Sequence, residues 1–90
     1  MILAEIAPDR ADAILSRGNA FGRSRVICGM HWQSDVHSGR EVAAAVVAKL
    51  HADGVFLAQL AAAKKEPAAA RAKGLKPAND YKAGAAALAF

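Results

Sequence analysis

The sequence has few of the residues that cross-link a chain or anchor it in a membrane. Cys28 is the single cysteine among 90 residues, so no disulfide can form within the chain. One expectation is that its side chain packs as a small apolar group. No apolar run approaches the roughly 20 residues that a transmembrane helix needs. The residues that follow Met1 lack the basic and apolar regions of a signal peptide. The sequence therefore predicts neither feature.

Aromatic and large aliphatic side chains are also scarce. Apolar residues make up 54% of the sequence, but 24 of the 90 residues are alanine and only five are aromatic. Alanine favours helix more than any other residue, yet it contributes little area when buried. A chain of this length forms one small domain and buries only about two thirds of its unfolded surface. We therefore expect an all-α fold, a small helical bundle with a weak core and exposed apolar seams.

Positive charge is in excess but is not concentrated. The formal net charge is +4 and the isoelectric point is about 9.6. This balance suits an anionic substrate, and it equally suits non-specific adhesion to nucleic acid or membrane surfaces. The basic residues are spread along the chain without interleaved aromatics, so we predict no specific nucleic-acid binding. His31, His37 and His51 lack the spacing of metal ligands, so we predict no metal site and no cofactor.

The first long helix is predicted from the spacing of small and apolar residues. These recur at intervals of three and four after Pro8, which indicates a helix from about Pro8 to Ala20 that extends toward Ile27. Gly18 and Gly22 lie on the same seam. Their lack of a side chain would either allow a neighbouring helix to approach closely or merely loosen the end of this helix.

Two further helices are predicted. One runs from about Ser34 to His51, and the other begins after Asp53, a residue type that caps helix N-termini. Pro67 should end or kink the latter helix near Ala63, because proline lacks the N–H of an internal helical residue. Residues 75–90 are expected to form an irregular or alanine-rich tail, and the last ten of them would be either a helix or irregular.

Chemically versatile side chains are grouped in one short stretch. Ser24 and Arg25 are adjacent, and His31 and Asp35 follow them. Residues four apart on a helix lie one turn from each other, so the Asp35 carboxylate can fix the tautomer of the His31 ring. The other ring nitrogen is then free to act as base or nucleophile. Arg25 offers five donors in a planar fork that suits phosphate oxygens. These are parts of a phosphoryl-transfer site.

The spacing of these residues resembles a known motif. Ser-Arg, five residues, His, three residues and Asp is similar to the third motif of the phosphatidic acid phosphatase type 2 superfamily, which includes vanadium haloperoxidases. The stretch SRVICGMHWQSDVHSGR most resembles the bacterial class A non-specific acid phosphatases. The resemblance continues through LAEIAPDRADAILSRGNAFG before this stretch and VVAKLHADGVFLAQLAAA after it. It covers roughly the first three quarters of the chain.

The resemblance implies an activity and a role for each residue. The implied activity is hydrolysis of phosphate monoesters through a phosphohistidine, without a cofactor. His31 would attack phosphorus, Asp35 would hold the His31 ring, and Arg25 and Ser24 would bind the phosphate oxygens. The resemblance also implies a periplasmic location, where Cys28 would be able to pair with a cysteine from another portion of the enzyme.

Two motifs that such phosphatases need are not in this sequence. They are Lys, six residues, Arg-Pro, and then Pro-Ser-Gly-His, whereas only 23 residues precede Ser24. The sequence therefore resembles the C-terminal portion of such an enzyme without its N-terminal helices. We assign residues 1–74 to this portion and residues 75–90 to the tail. We expect negligible activity from the chain alone, and we expect its exposed seams to bind the missing portion or a second copy.

Two other interpretations remain open from the sequence. The chain would instead be a non-catalytic helical interaction module, or a truncated remnant, that self-associates through its exposed seams. Alternatively, His31 would hold vanadate, as in a haloperoxidase. The phosphatase-like sequences on both sides of the motif favour the acid phosphatase over the haloperoxidase.

Overall fold

The computed structural model describes residues 1–88, and within them every regular element is helical. The elements are α1 (Ile2–Ile6), a 3-10 turn (Pro8–Arg10), α2 (Ala11–Ile27), α3 (Gln33–Leu50), α4 (Gly54–Ala72) and α5 (Lys82–Leu88). The predicted all-α bundle is therefore confirmed. No helix among the described residues has both the length and the apolar character needed to cross a membrane.

The α2 helix is longer than the minimum predicted and begins later. Pro8 starts the 3-10 turn, so α2 itself begins at Ala11 and continues to Ile27. An added Cβ at Gly22 would lie 3.2 Å from Val36 Cγ1, so a neighbouring helix does approach closely at Gly22, and this neighbour is α3. No atom lies within 4 Å of an added Cβ at Gly18, so the close approach predicted there is wrong.

The α4 helix begins as predicted but ends later. Asp53 Oδ1 accepts hydrogen bonds from the backbone N–H of Val55 at 2.8 Å and of Phe56 at 3.1 Å, which confirms it as the N-cap. Pro67 does not end the helix near Ala63, because α4 continues to Ala72. The alternative of a kink at this proline stays a prediction. The alanines that follow the proline are strong helix formers and offset the cost of the missing N–H.

The helices pack loosely. The α1 helix contacts α2 and α4, and α2 contacts α3 and α5. The radius of gyration is 15.7 Å, whereas a compact chain of this length would have about 12 Å. Among the described residues Leu60 is the one buried hydrophobic side chain. Large apolar side chains that remain exposed include Leu3, Leu15, Phe21 and Trp32. The expected weak core and exposed seams are confirmed.

Replacing Leu60 with alanine should lower the free energy of unfolding by about 2 kcal/mol, because it removes a buried side chain and leaves a cavity. Leu57 provides a matched control on the same helix, since 43% of it is exposed while Leu60 is 7% exposed. Leu57→Ala should cost less than about 1 kcal/mol. Urea unfolding followed by helical circular dichroism measures both. Equal losses in the two variants would contradict this description of the core.

Candidate active site

The stretch from Ser24 to Asp35 joins the end of α2 to the start of α3 through a turn that depends on glycine. Gly29 has a φ of 73°, a left-handed conformation that glycine adopts without steric cost. Its N–H donates to the Val26 carbonyl at 3.0 Å, and the Met30 N–H donates to the Arg25 carbonyl at 2.9 Å. This pair of bonds is a Schellman motif, which satisfies the last carbonyls of a helix. The turn therefore fixes the path of the chain into His31.

The turn holds the main chain of His31 against that of Arg25. The His31 N–H donates to the Arg25 carbonyl at 3.2 Å, so this oxygen accepts two hydrogen bonds from the turn. His31 lies outside α3, which starts at Gln33, and this agrees with its predicted position just before the helix. The structure thus brings together the backbones of two residues that are six apart in sequence.

Asp35 lies in the first turn of α3 and faces His31. Its Oδ2 accepts a hydrogen bond from the Trp32 N–H at 2.9 Å and lies 3.6 Å from His31 Nδ1. The second distance is too long for a hydrogen bond, although a small ring movement would close it. Trp32 is the N-cap, and its indole offers no acceptor to the helix. Asp35 therefore caps α3 and stands beside the Nδ1 side of the imidazole, which leaves Nε2 facing away from this carboxylate.

The His31–Asp35 pair is open to solvent. The His31 side chain is 49% exposed and the Asp35 side chain is 51% exposed. Among residues 1–88 no protein group forms a hydrogen bond with His31 Nε2. A substrate can therefore reach His31 Nε2, the nitrogen that was predicted to act as base or nucleophile.

Arg25 and Ser24 differ in how ready they are to bind an anion. Arg25 is exposed in the last turn of α2, and within the described part of the chain its guanidinium has no ion-pair partner. Its five donors are therefore available. The Ser24 hydroxyl instead donates to the Phe21 carbonyl at 2.7 Å. Ser24 must rotate away from Phe21 before it can donate to a ligand.

The N-terminus of α3 adds two further donors. The backbone N–H groups of Gln33 and Ser34 have no acceptor in the described chain, as is usual for the first residues of a helix. Together with the positive end of the helix dipole they favour a bound anion beside His31. The predicted position of the helix start near Ser34 is correct to within one residue.

Several residues outside this site also have defined positions. His37 is exposed, as predicted. Cys28 is exposed as well, so the expectation of a packed small side chain is wrong. No cluster of three or more candidate metal ligands occurs in residues 1–88.

The ion pair between His51 and Glu5 was not predicted from the sequence. The helix predicted from about Ser34 to His51 does end there, since His51 is the C-cap of α3, with Nδ1 2.7 Å from the Val47 carbonyl. However, His51 Nε2 also lies 2.9 Å from Glu5 Oε1. The two residues are 46 positions apart, so no local pattern could have indicated the contact.

Comparison with known proteins finds similarity to acid phosphatases. A non-specific acid phosphatase of Providencia stuartii is 53% identical over 66 residues, which are 73% of this chain and 27% of that protein. The chain is similar to the C-terminal part of an acid phosphatase. An acid phosphatase of Zymomonas mobilis is 46% identical over 77 residues, or 86% of this chain and 29% of that protein. A non-specific acid phosphatase of Salmonella typhimurium is 47% identical over 66 residues.

The extent of the similarity is also informative. The acid-phosphatase-like chain spans between about a quarter and three tenths of the length of these relatives. No protein-family profile and no solved structure matches it. The relatives therefore have most of their length outside the region of similarity.

Proposed function

We propose that this chain supplies the nucleophile of an acid phosphatase site and one part of its phosphate-binding group. The observation that carries the proposal is the turn that holds the His31 N–H on the Arg25 carbonyl while Asp35 stands 3.6 Å from His31 Nδ1. The turn brings the backbone of His31, just before α3, against the backbone of Arg25 in the last turn of α2. The similarity to acid phosphatases supports the same assignment.

The proposed reaction has two steps. His31 Nε2 attacks the phosphorus of a phosphate monoester, a P–N bond forms, and the P–O bond to the alcohol breaks. The leaving oxygen takes a proton from a general acid that this chain does not contain. Water then attacks phosphorus and gives a proton back to the deprotonated general acid, the P–N bond breaks, and inorganic phosphate leaves. Asp35 holds the ring and stabilises its positive charge, while Arg25, the α3 amides and a rotated Ser24 bind the equatorial oxygens.

The remaining groups come from another portion of an acid phosphatase fold. By resemblance these are the histidine of Pro-Ser-Gly-His as general acid, and the lysine and arginine of the first motif as phosphate ligands. An apolar groove of about 870 Å³ offers a surface for that portion. It is lined mainly by residues of α1 and α2, with Val47 of α3 and Ala85 of α5, and it includes the apolar side chains of Met1, Leu3, Ile14 and Phe21. The resemblance also supports a periplasmic location for the complete site.

A non-catalytic helical module is the second candidate. The exposed apolar side chains and the single buried leucine favour it, because such a surface promotes association between copies. In that case the chain would self-associate and the residues around His31 would not support turnover in any context.

A chimera tests the proposal. The 66-residue segment of this chain that matches the Providencia stuartii enzyme replaces the corresponding segment of that enzyme. We expect the chimera to hydrolyse an aryl phosphate within about tenfold of the parent rate, since the missing groups are restored. The isolated 90-residue chain should show negligible turnover.

Two results would contradict the proposal. A folded chimera without turnover would exclude the catalytic assignment and favour the self-associating module, which sedimentation of the isolated chain would then detect. Ready turnover by the isolated chain, lost on replacing His31 with alanine, would show that no other portion is needed. Loss of the general acid alone is expected to cost about a hundred- to ten-thousandfold in rate.

A further inference from the structure

The His51 ring lies between two groups that can only accept hydrogen bonds. Nδ1 is 2.7 Å from the Val47 carbonyl oxygen, and Nε2 is 2.9 Å from Glu5 Oε1 and 3.0 Å from Glu5 Oε2. A neutral imidazole has one N–H and therefore satisfies one of these contacts, whereas the imidazolium satisfies both. The geometry thus selects the protonated form of His51.

Three helices surround the His51 ring. Glu5 reaches it from α1, and Val47 belongs to α3, which His51 caps. From α4, the Phe56 ring packs edge-on with centroids 5.5 Å apart, and the positive charge of Lys64 opposes protonation. The Glu5 and His51 side chains are each about one third exposed, at 35% and 34%. The Val47 carbonyl and then Glu5 favour the protonated ring, whereas Lys64 opposes it.

The α1 helix depends on contacts of this kind. It has five residues, which is too short for a helix to be stable without tertiary contacts. It packs on α2 and α4 and contributes Met1, Ile2 and Leu3 to the wall of the apolar groove. The bond from Glu5 to His51 links it to the junction of α3 and α4. Loss of this bond would loosen one side of the groove.

We propose that His51 and Glu5 form a proton-dependent clasp that holds α1 in place under acidic conditions and loosens it as the pH rises. The clasp controls the groove, and it does not require that the groove or the His31 site be catalytic. Failure of the clasp would therefore leave the proposed phosphatase function intact, and failure of the phosphatase function would leave the clasp intact.

The direction of the pH effect follows from the contacts. The Val47 carbonyl, and then Glu5, raise the pKa of His51 above its ordinary value of about 6.5. A group whose pKa is raised on folding stabilises the folded state fully below its unfolded pKa. That contribution is lost as the pH rises through the folded pKa. We therefore expect α1 to be held most firmly at mildly acidic pH, from about 5.5 to 6.5, and less firmly in the alkaline range.

Nuclear magnetic resonance of the full 90-residue chain tests the clasp. The ring protons of His51 should titrate at a higher pH in the folded chain than in the same chain unfolded in urea. The Ala7 N–H, which bonds the Leu3 carbonyl at 3.0 Å at the end of α1, reports on helix opening. Its exchange protection, corrected for intrinsic rates, should fall about two- to fivefold between about pH 5.5 and pH 8.5.

Two variants separate the clasp from general charge effects. Glu5→Gln keeps the shape of the side chain, so it should lower the titration midpoint of His51 and remove most of the pH dependence at Ala7. Glu41→Gln makes the same change of charge at an exposed position on α3 and should alter neither. The proposal is overturned if His51 titrates alike in the folded and unfolded chains. It is also overturned if Glu5→Gln behaves like Glu41→Gln, or if Ala7 shows no protection at acidic pH.

Discussion

Replacing His31 with alanine in the chimera should lower kcat by about a thousandfold or more, because the variant has no atom to form the covalent bond to phosphorus. Within residues 1–88 the one polar contact of the His31 side chain is with the Asp35 carboxylate, and the side chain is about half exposed. Its removal should therefore leave the fold in place. Steady-state hydrolysis of an aryl phosphate measures the loss.

His37 provides the matched control for His31. It is an exposed histidine on α3, six residues further along, and it lies outside the turn that carries the site. His37→Ala should keep kcat within about twofold of the unmodified chimera, as is usual for surface substitutions away from a site. Similar losses in the two variants would mean that His31 acts through general stability and not as a nucleophile.

Replacing Arg25 with alanine should have the next largest effect, a loss of about a hundred- to a thousandfold in kcat/KM. The guanidinium is the free cationic fork nearest in sequence to His31, and phosphoryl transfer depends mainly on such charge stabilisation. The turn itself uses the Arg25 carbonyl, which the substitution retains. Arg25→Lys should recover only part of the loss, since a lysine cannot bind two oxygens in a fork.

Arg23 controls for loss of positive charge in the same helix. It is exposed and lies two residues before Arg25, which turns it to another face of α2. Arg23→Ala should change kcat/KM by less than about threefold through long-range charge alone. If Arg23→Ala and Arg25→Ala cost the same, the role of Arg25 is general attraction of an anion and not direct contact with phosphate.

The helices could be predicted because the residues that determine them are close together in the sequence. Spacing of small and apolar residues located α2 and α3, and a single carboxylate located the start of α4 at Asp53. The turn at Gly29 is local as well, since it depends on the positive φ of a single glycine. The errors came from competing effects. Pro67 was expected to end or kink α4, but the helix continues through it to Ala72.

Parts of the site and its surroundings depend on contacts that the sequence does not display. The relation between Arg25 and His31 follows from a turn, and the commitment of the Ser24 hydroxyl to the Phe21 carbonyl depends on a rotamer. The bond between His51 and Glu5 needs three helices to meet. The chemical groups of the candidate site could therefore be predicted from the sequence. Which of them already form hydrogen bonds within the protein could not.

Trapping the covalent intermediate tests the central claim most directly. The chimera is mixed rapidly with an aryl phosphate, quenched in alkali to preserve phosphohistidine, and digested for mass analysis of its peptides. The account predicts a phosphoryl group on His31, and none when His31 is replaced by alanine. Recovery of the phosphoryl group on a different side chain, from a chimera that turns over, would contradict it.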